Sequence, residues 1–253
     1  MLQLDCLLAY AKETIMSDLK GQTVVIIGGS SGMGLGTAKA AAIQGAAVVI
    51  AGHSEEKLEN ALKEIEGQAR ALSVDITKEE SICQLFEQIG QLDHLFITAA
   101  PGSRGEFLGQ SIADARSYME GKFWGAYISA YYAAPRMTKH GSITFLSGGL
   151  SRKPAKGSSM VTASQNAVEG LAKALAVELS PLRVNTILPG SIDTPMWSFL
   201  SEDEHQEFLK KSAEVPAGRI GQPEDVGHAA VFLMTNSFIT GSVLQVDGGA
   251  LLS

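Results

Sequence analysis

Gly28-Gly29-Ser30-Ser31-Gly32-Met33-Gly34-Leu35-Gly36 is the stretch on which the fold turns. It follows an apolar, β-rich run, TVVII (23–27), and opens into an alanine-rich helical pattern, GLGTAKAAAIQ (34–44). Strand, glycine loop and helix in that order have a physical meaning. Glycines permit a tight turn and a close backbone approach, and the free N–H groups at a helix start favour negative charge. A glycine-rich string alone is weak evidence. Its place between a first strand and a first helix makes it a pyrophosphate cradle rather than a plain turn.

Outward from that loop the same rhythm repeats. AVVIA (47–51), ARALSV (69–74), DHLFIT (93–98), SITFLS (142–147), RVNTIL (183–188) and SVLQV (242–246) read as six further strands, with helical stretches between them. The runs do not alternate cleanly between apolar and polar, as expected when helices cover both faces of a sheet. The expected fold class is therefore α/β: a three-layer, Rossmann-type, doubly wound parallel sheet of seven strands with helices on both faces. Ser54 is placed to cap the helix of SEEKLENALKEI, whose early glutamates complement its dipole. Two long helices are expected near 111–138 and 158–180. No linker or repeat divides the chain, so 18–253 reads as a single domain. Residues 1–17 read as an N-terminal extension, either accessory or a short amphipathic helix used in subunit contact. Asp5 and the lack of a basic start argue against a signal peptide.

Composition narrows the function classes. With 45% hydrophobic and 19% charged residues, the 253-residue chain has a globular balance. A net charge of −7 without basic runs disfavours nucleic acid and anionic membranes as partners. No apolar stretch reaches the roughly 18 residues that a membrane-spanning helix needs. Cys6 and Cys83 form neither a disulfide framework nor a metal spacing, and the five histidines show no paired metal-ligand spacing, so no metal is expected. A cytoplasmic protein acting on a small-molecule substrate fits.

The spacing Gly28-xxx-Gly32-x-Gly34 resembles that of the short-chain dehydrogenases/reductases, and the resemblance runs from about residue 18 to 250. It includes Asp75 in Ser-Val-Asp-Ile, Asn185 in Arg-Val-Asn, Pro189-Gly190 followed by Ile192, Asp193 and Thr194-Pro195, GRIGQPEDV (218–226) and Val246-Asp247-Gly248-Gly249. The resemblance implies a nicotinamide dinucleotide held by Gly28, Ser30, Ser31, Gly32, Met33 and Gly34 at its pyrophosphate. It also implies Asp75 and Ile76 at the adenine, Ala99 after the fourth strand, and Pro189, Gly190, Ile192 and Thr194 on the nicotinamide side. A homodimer or homotetramer built on the two long helices is implied as well; Trp124, Tyr127, Tyr131 and Tyr132 read most simply as helix-packing residues at a subunit face.

Cofactor choice is read at the end of the second strand, where a carboxylate binds a ribose 2′-hydroxyl and repels a 2′-phosphate. Here Ala51-Gly52-His53-Ser54 offers no acid before Glu55. His53 and Ser54 are placed to donate to a phosphate, which favours NADP over NAD; otherwise His53 is a solvated loop residue.

Several positions depart from the family. Its Tyr-x-x-x-Lys pair, which moves a proton and holds the nicotinamide ribose, is replaced by Val161 and Gln165. Valine transfers no proton; glutamine still hydrogen-bonds ribose but carries no charge. Ile97-Thr98-Ala99-Ala100 stands for Asn-Asn-Ala-Gly, Ile27 for a threonine, and Lys122 for the asparagine of the proton relay. Ser147 fills the serine position, either orienting substrate or merely finishing a strand. The catalytic candidates are thus Ser147 and Lys122. Lys122 either supplies a proton path with Ser147 and a water, or props the helix by pairing with a carboxylate or backbone carbonyls.

Overall fold

A computed structural model of the protein describes residues 18–98 and 105–252. The expected extension and Ala99 lie outside the described residues. Seven parallel strands form one sheet in the order β3-β2-β1-β4-β5-β6-β7. They are β1 (Thr23–Ile27), β2 (Ala47–Gly52), β3 (Ala69–Ser73), β4 (Leu92–Ile97), β5 (Met137–Leu146), β6 (Arg183–Pro189) and β7 (Val243–Val246). The order reverses between β1 and β4, so a crevice opens at their carboxyl ends, where ligands bind in doubly wound sheets.

Successive residues of β1 serve opposite faces, which explains why its run is apolar throughout. Val24 and Ile26 pack with α1 (Gly32–Ile43), α2 (Glu55–Leu62) and α8 (Pro223–Thr235). Val25 and Ile27 pack with α3 (Glu79–Ile89), α5 (Gly125–Ala133) and α6 (Ser159–Glu178). Each fully buried Ile, Leu or Phe of these layers contributes about 1.5–3 kcal/mol over its exposed state. Two further helices, α4 (Ile112–Met119) and α7 (Glu202–Ser212), flank the carboxyl edge of the sheet.

The α1–α8 crossing is close because neither helix carries a side chain there. A Cβ on Gly36 would strike the Pro223 backbone, and one on Gly227 would strike the backbone at Gly36. This crossing fixes the start of α1, and with it the glycine loop.

One expected helix is shorter than its pattern. The stretch 111–138 comprises α4, a π-helical turn at Glu120–Trp124, α5, and a single 3-10 turn at Ala134–Arg136. Strand β5 then begins at Met137, earlier than its apolar run, with Met137 paired to Leu92 and the register slipping before His94 pairs Ser142. Asp93 draws the extra residues in, since Thr138 Oγ1 donates to its Oδ1 at 2.6 Å. Ser54 caps α2 as expected, accepting from Lys57 N at 3.3 Å.

Candidate active site

The glycine loop crosses the carboxyl ends of β1 and β2. Gly28 N and Gly29 N both donate to Ala51 O, at 2.8 and 3.3 Å. Gly28 and Gly32 have φ of 89° and 50°, a left-handed conformation that side chains disfavour. A Cβ on Gly34 would collide with the Gly28 carbonyl, so the loop is wound tightly onto the first turn of α1. Ser31 precedes that helix without a side-chain capping bond, which leaves the first N–H groups of α1 for an anion. Ser31 is exposed, while Ser30 and Met33 are half-buried. Thr98 ties the loop from below: its N–H donates to Ile27 O at 2.9 Å and its hydroxyl to Ile27 O and Gly28 O at 3.2 and 3.1 Å.

On the β2 side, Ser30 lies against Gly52, and His53 is exposed beside it. Asp75 accepts from the Thr77 hydroxyl at 2.6 Å and pairs with Lys78 at 3.1 Å. The Thr77 hydrogen bonds, with Lys78, hold its carboxyl down to about 2. Ile76 packs against Gly125, where α5 begins.

On the other side of the loop, Pro189 is buried at the end of β6, and Gly190 passes so close to Asp247 that a Cβ would touch its Cα at 2.8 Å. The chain returns over the loop through Thr194 and Pro195, which face Gly32. Ile192 is buried, bridges to Gly221, and accepts from Trp197 Nε1 at 2.9 Å. Trp197 packs against Phe208 of α7 with the rings tilted, and His205 lies 3.4 Å from Asp193. The aromatic contacts are internal to the segment 191–212, which meets the glycine loop through Thr194 and Pro195 and the 218–221 stretch through the Ile192–Gly221 bridge.

Two polar atoms here have no partner: Gln165 Oε1 and Thr194 Oγ1 are both buried without a hydrogen bond. Buried polar atoms are nearly always satisfied, and a ligand that donates to Gln165 Oε1 and bonds the Thr194 hydroxyl would complete both. With the uncapped start of α1 they fit a dinucleotide lying across the sheet edge.

Val161 and Gln165 are buried on one face of α6, one turn apart. The next turn carries a residue that sequence reasoning missed. Glu169, 4% exposed, accepts from Ser147 Oγ at 2.6 Å and from Arg152 Nη2. Burial opposes its ionisation, but bonds from Ser147, Ser151 and Arg152 outweigh it and hold the carboxyl below its ordinary range. A lone acid inside the apolar run AVEGLAKAL was the available signal. The Ser147 hydroxyl is thus committed to α6. The next residue, Gly148, is the one whose side-chain direction meets Gln165.

Lys122 sits in the π-helical turn and is 6% exposed, its Nζ donating to Leu146 O at 2.7 Å. This is the carbonyl contact of a helix prop, one residue before Ser147. No carboxylate among the described residues pairs with it. Desolvation lowers its pKa from 10.5 to about 8.

Comparison with known proteins agrees with this geometry. A family described as Enoyl-(Acyl carrier protein) reductase matches residues 27–250. The chain belongs to the short-chain dehydrogenases/reductases. It is 34% identical over 255 residues to the short-chain dehydrogenase/reductase ATR9 of Stachybotrys chlorohalonatus, covering 94% of this chain and 100% of that one. It also resembles the MalC reductase/Diels-Alderase of Malbranchea aurantiaca, with 30% identity, a TM-score of 0.88, and coverage of 93% and 98% of the two chains. A small-chain dehydrogenase in complex with NADPH superimposes with a TM-score of 0.78 at 32% identity, over 92% and 99% of the chains. This short-chain dehydrogenase/reductase is a nicotinamide-dependent oxidoreductase by class, and no helix among its described residues is long and apolar enough to cross a membrane.

Proposed function

We propose that the protein binds NADP(H) in preference to NAD(H) and interconverts a carbonyl and an alcohol, with Lys122 rather than a Tyr–Lys pair handling the proton. When bound, the dinucleotide supplies or accepts the hydride. The phosphate loop from Gly28 to Gly34 holds its pyrophosphate, with Asp75 and Ile76 toward the adenine. Gln165, Pro189, Gly190, Ile192 and Thr194 hold the nicotinamide half. His53 and Ser54 donate to a 2′-phosphate; Ser54 accepts from Lys57 N and keeps its own proton to give. The relative in complex with NADPH supports that choice.

The observation that carries the proton assignment is Lys122, a buried amine with one carbonyl partner and no counter-ion among the described residues. An ammonium gives a proton through a bound water to the forming alkoxide and is recharged from solvent. Ser147 positions this path rather than carrying it, by fastening the end of β5 to Glu169. In the reductive direction the rate should fall as pH rises through about 8, where the amine loses its proton. Lys122→Met should flatten that limb and lower turnover about 10²–10⁴-fold, the usual worth of general acid catalysis. A wild-type rate and pH profile in Lys122→Met would remove Lys122 from the mechanism.

NADPH oxidation with a panel of aldehydes and ketones, followed by absorbance, tests the reaction itself. Tight NADPH binding with no turnover on any carbonyl would instead assign a dinucleotide-binding sensor or partner subunit, the reading that Val161 favours. The exposed Trp124, Tyr127 and Tyr131, at 44%, 40% and 66%, support a homodimer or homotetramer built on α4–α5 and α6. A monomer by light scattering at micromolar concentration would refute it.

A further inference from the structure

Gly148 has φ 174° and ψ 163°, extended backbone that any residue adopts. Conformation does not demand glycine at this position. Space does. A Cβ built there would lie closer than 3.0 Å to Gln165 Nε2, with Gln165 Cδ at 3.1 Å and Oε1 at 3.4 Å. The Gln165 carboxamide therefore lies across the space that a side chain at 148 would take. It is 9% exposed, and its Oε1 is the buried atom without a partner.

The surrounding contacts hold this arrangement still. Ser147, immediately before the glycine, is bonded to Glu169, and Glu169 lies one helical turn beyond Gln165 on α6. Arg152 grips the second oxygen of the same carboxylate. The end of β5 and the α6 backbone from which Gln165 projects are thus clamped together. With both backbones fixed, a side chain added at 148 has to be met by movement of the Gln165 carboxamide itself.

We propose that Gly148 and Gln165 form one recognition unit, in which the missing side chain at 148 lets the Gln165 carboxamide lie across the end of β5 and offer Oε1 to a ribose hydroxyl of the bound dinucleotide. The inference rests on the NADP(H) reading above and assigns Gly148 a role through Gln165. Gly148 is a positioning residue, and its contribution depends on glutamine at 165. Adding a methyl group at 148 forces Gln165 out of place, whereas the same methyl group fits once the carboxamide is gone.

Calorimetric titration of NADPH into wild type, Gly148→Ala, Gln165→Ala, Gln165→Met and Gly148→Ala/Gln165→Ala tests this. Thermal melting without ligand accompanies each. Both alanine single variants should weaken NADPH about tenfold, the effect of one lost hydrogen bond. The double variant should bind no worse than Gln165→Ala, because contacting residues that act as a unit are non-additive. Gln165→Met keeps the volume and loses the acceptor, so its affinity should fall with little change in melting. Wild-type affinity in Gly148→Ala, or losses that multiply in the double variant, would overturn the pairing while leaving the NADP(H) reading intact. If Gly148→Ala does not fold, folding regained in the double variant supports the pairing, and folding not regained overturns it. Failure of wild type to bind NADPH would remove both readings.

Discussion

At the end of β5 two neighbouring residues point in different directions, and only the second meets Gln165. Ser147 turns to Glu169, whose other oxygen Arg152 holds, while the space in front of Gly148 belongs to the carboxamide. This bears on what would return family-type chemistry to the site. Replacing Val161→Tyr and Gln165→Lys restores a proton donor and a cation, but no hydroxyl on the side that faces them. Addition of Gly148→Ser should raise carbonyl reduction at least about tenfold over the double variant, as one charge-assisted hydrogen bond is worth about 1.5–3 kcal/mol. Equal rates in the double and triple variants would show that position 148 does not face the reacting oxygen. The family register singles out Val161 and Gln165 in the sequence, and the structure buries both on one face of α6. The register is silent on the direction of Ser147, since that depends on a carboxylate 22 residues downstream.

Among the elements, the pair α1 and α8 shows how a binding loop is held by packing distant in sequence. Gly36 was legible as the last glycine of the loop, but its use as a helix–helix contact was not, because the partner surface is Pro223 and Gly227. Gly227→Val would drive α8 away from the start of α1 at a cost of roughly 1–3 kcal/mol, typical of overpacking a close contact. The expected signature is a lower melting temperature together with weaker NADPH binding, since the N–H groups of Gly32 to Gly34 move with α1. A variant that melts earlier yet binds NADPH with wild-type affinity would uncouple the crossing from the loop. The early start of β5 has a similar lesson. MTKH (137–140) has no strand pattern of its own, and Asp93 and Thr138 recruit it by a contact across 45 residues.

Over the whole molecule the two ends of the sheet have opposite polar characters. The carboxyl edge carries the uncapped start of α1 and the unpartnered Gln165 and Thr194 oxygens, as a ligand-binding edge should. Near the amino edge the buried polar groups are satisfied by one another. Asp93 accepts from Thr23 N at 2.8 Å and from Thr138 Oγ1 at 2.6 Å, and His94 bonds Ser142 and Gln22 at 2.8 and 2.7 Å. Burial, aided by the charge of Arg183 and opposed by that of Asp93, lowers the His94 pKa from 6.5 to about 4. The unfolded chain therefore binds the proton first, so this stability is fully present above about 6.5 and is lost as pH falls toward 4. Ordinary carboxylates titrate mostly below pH 5, so they contribute little between pH 7 and 5. Urea unfolding should show a loss of about 2 kcal/mol across that interval from His94. His94→Gln should be less stable at pH 7 but lose about 2 kcal/mol less over the same interval, whereas an unchanged pH dependence would mean that His94 accepts its proton within the fold.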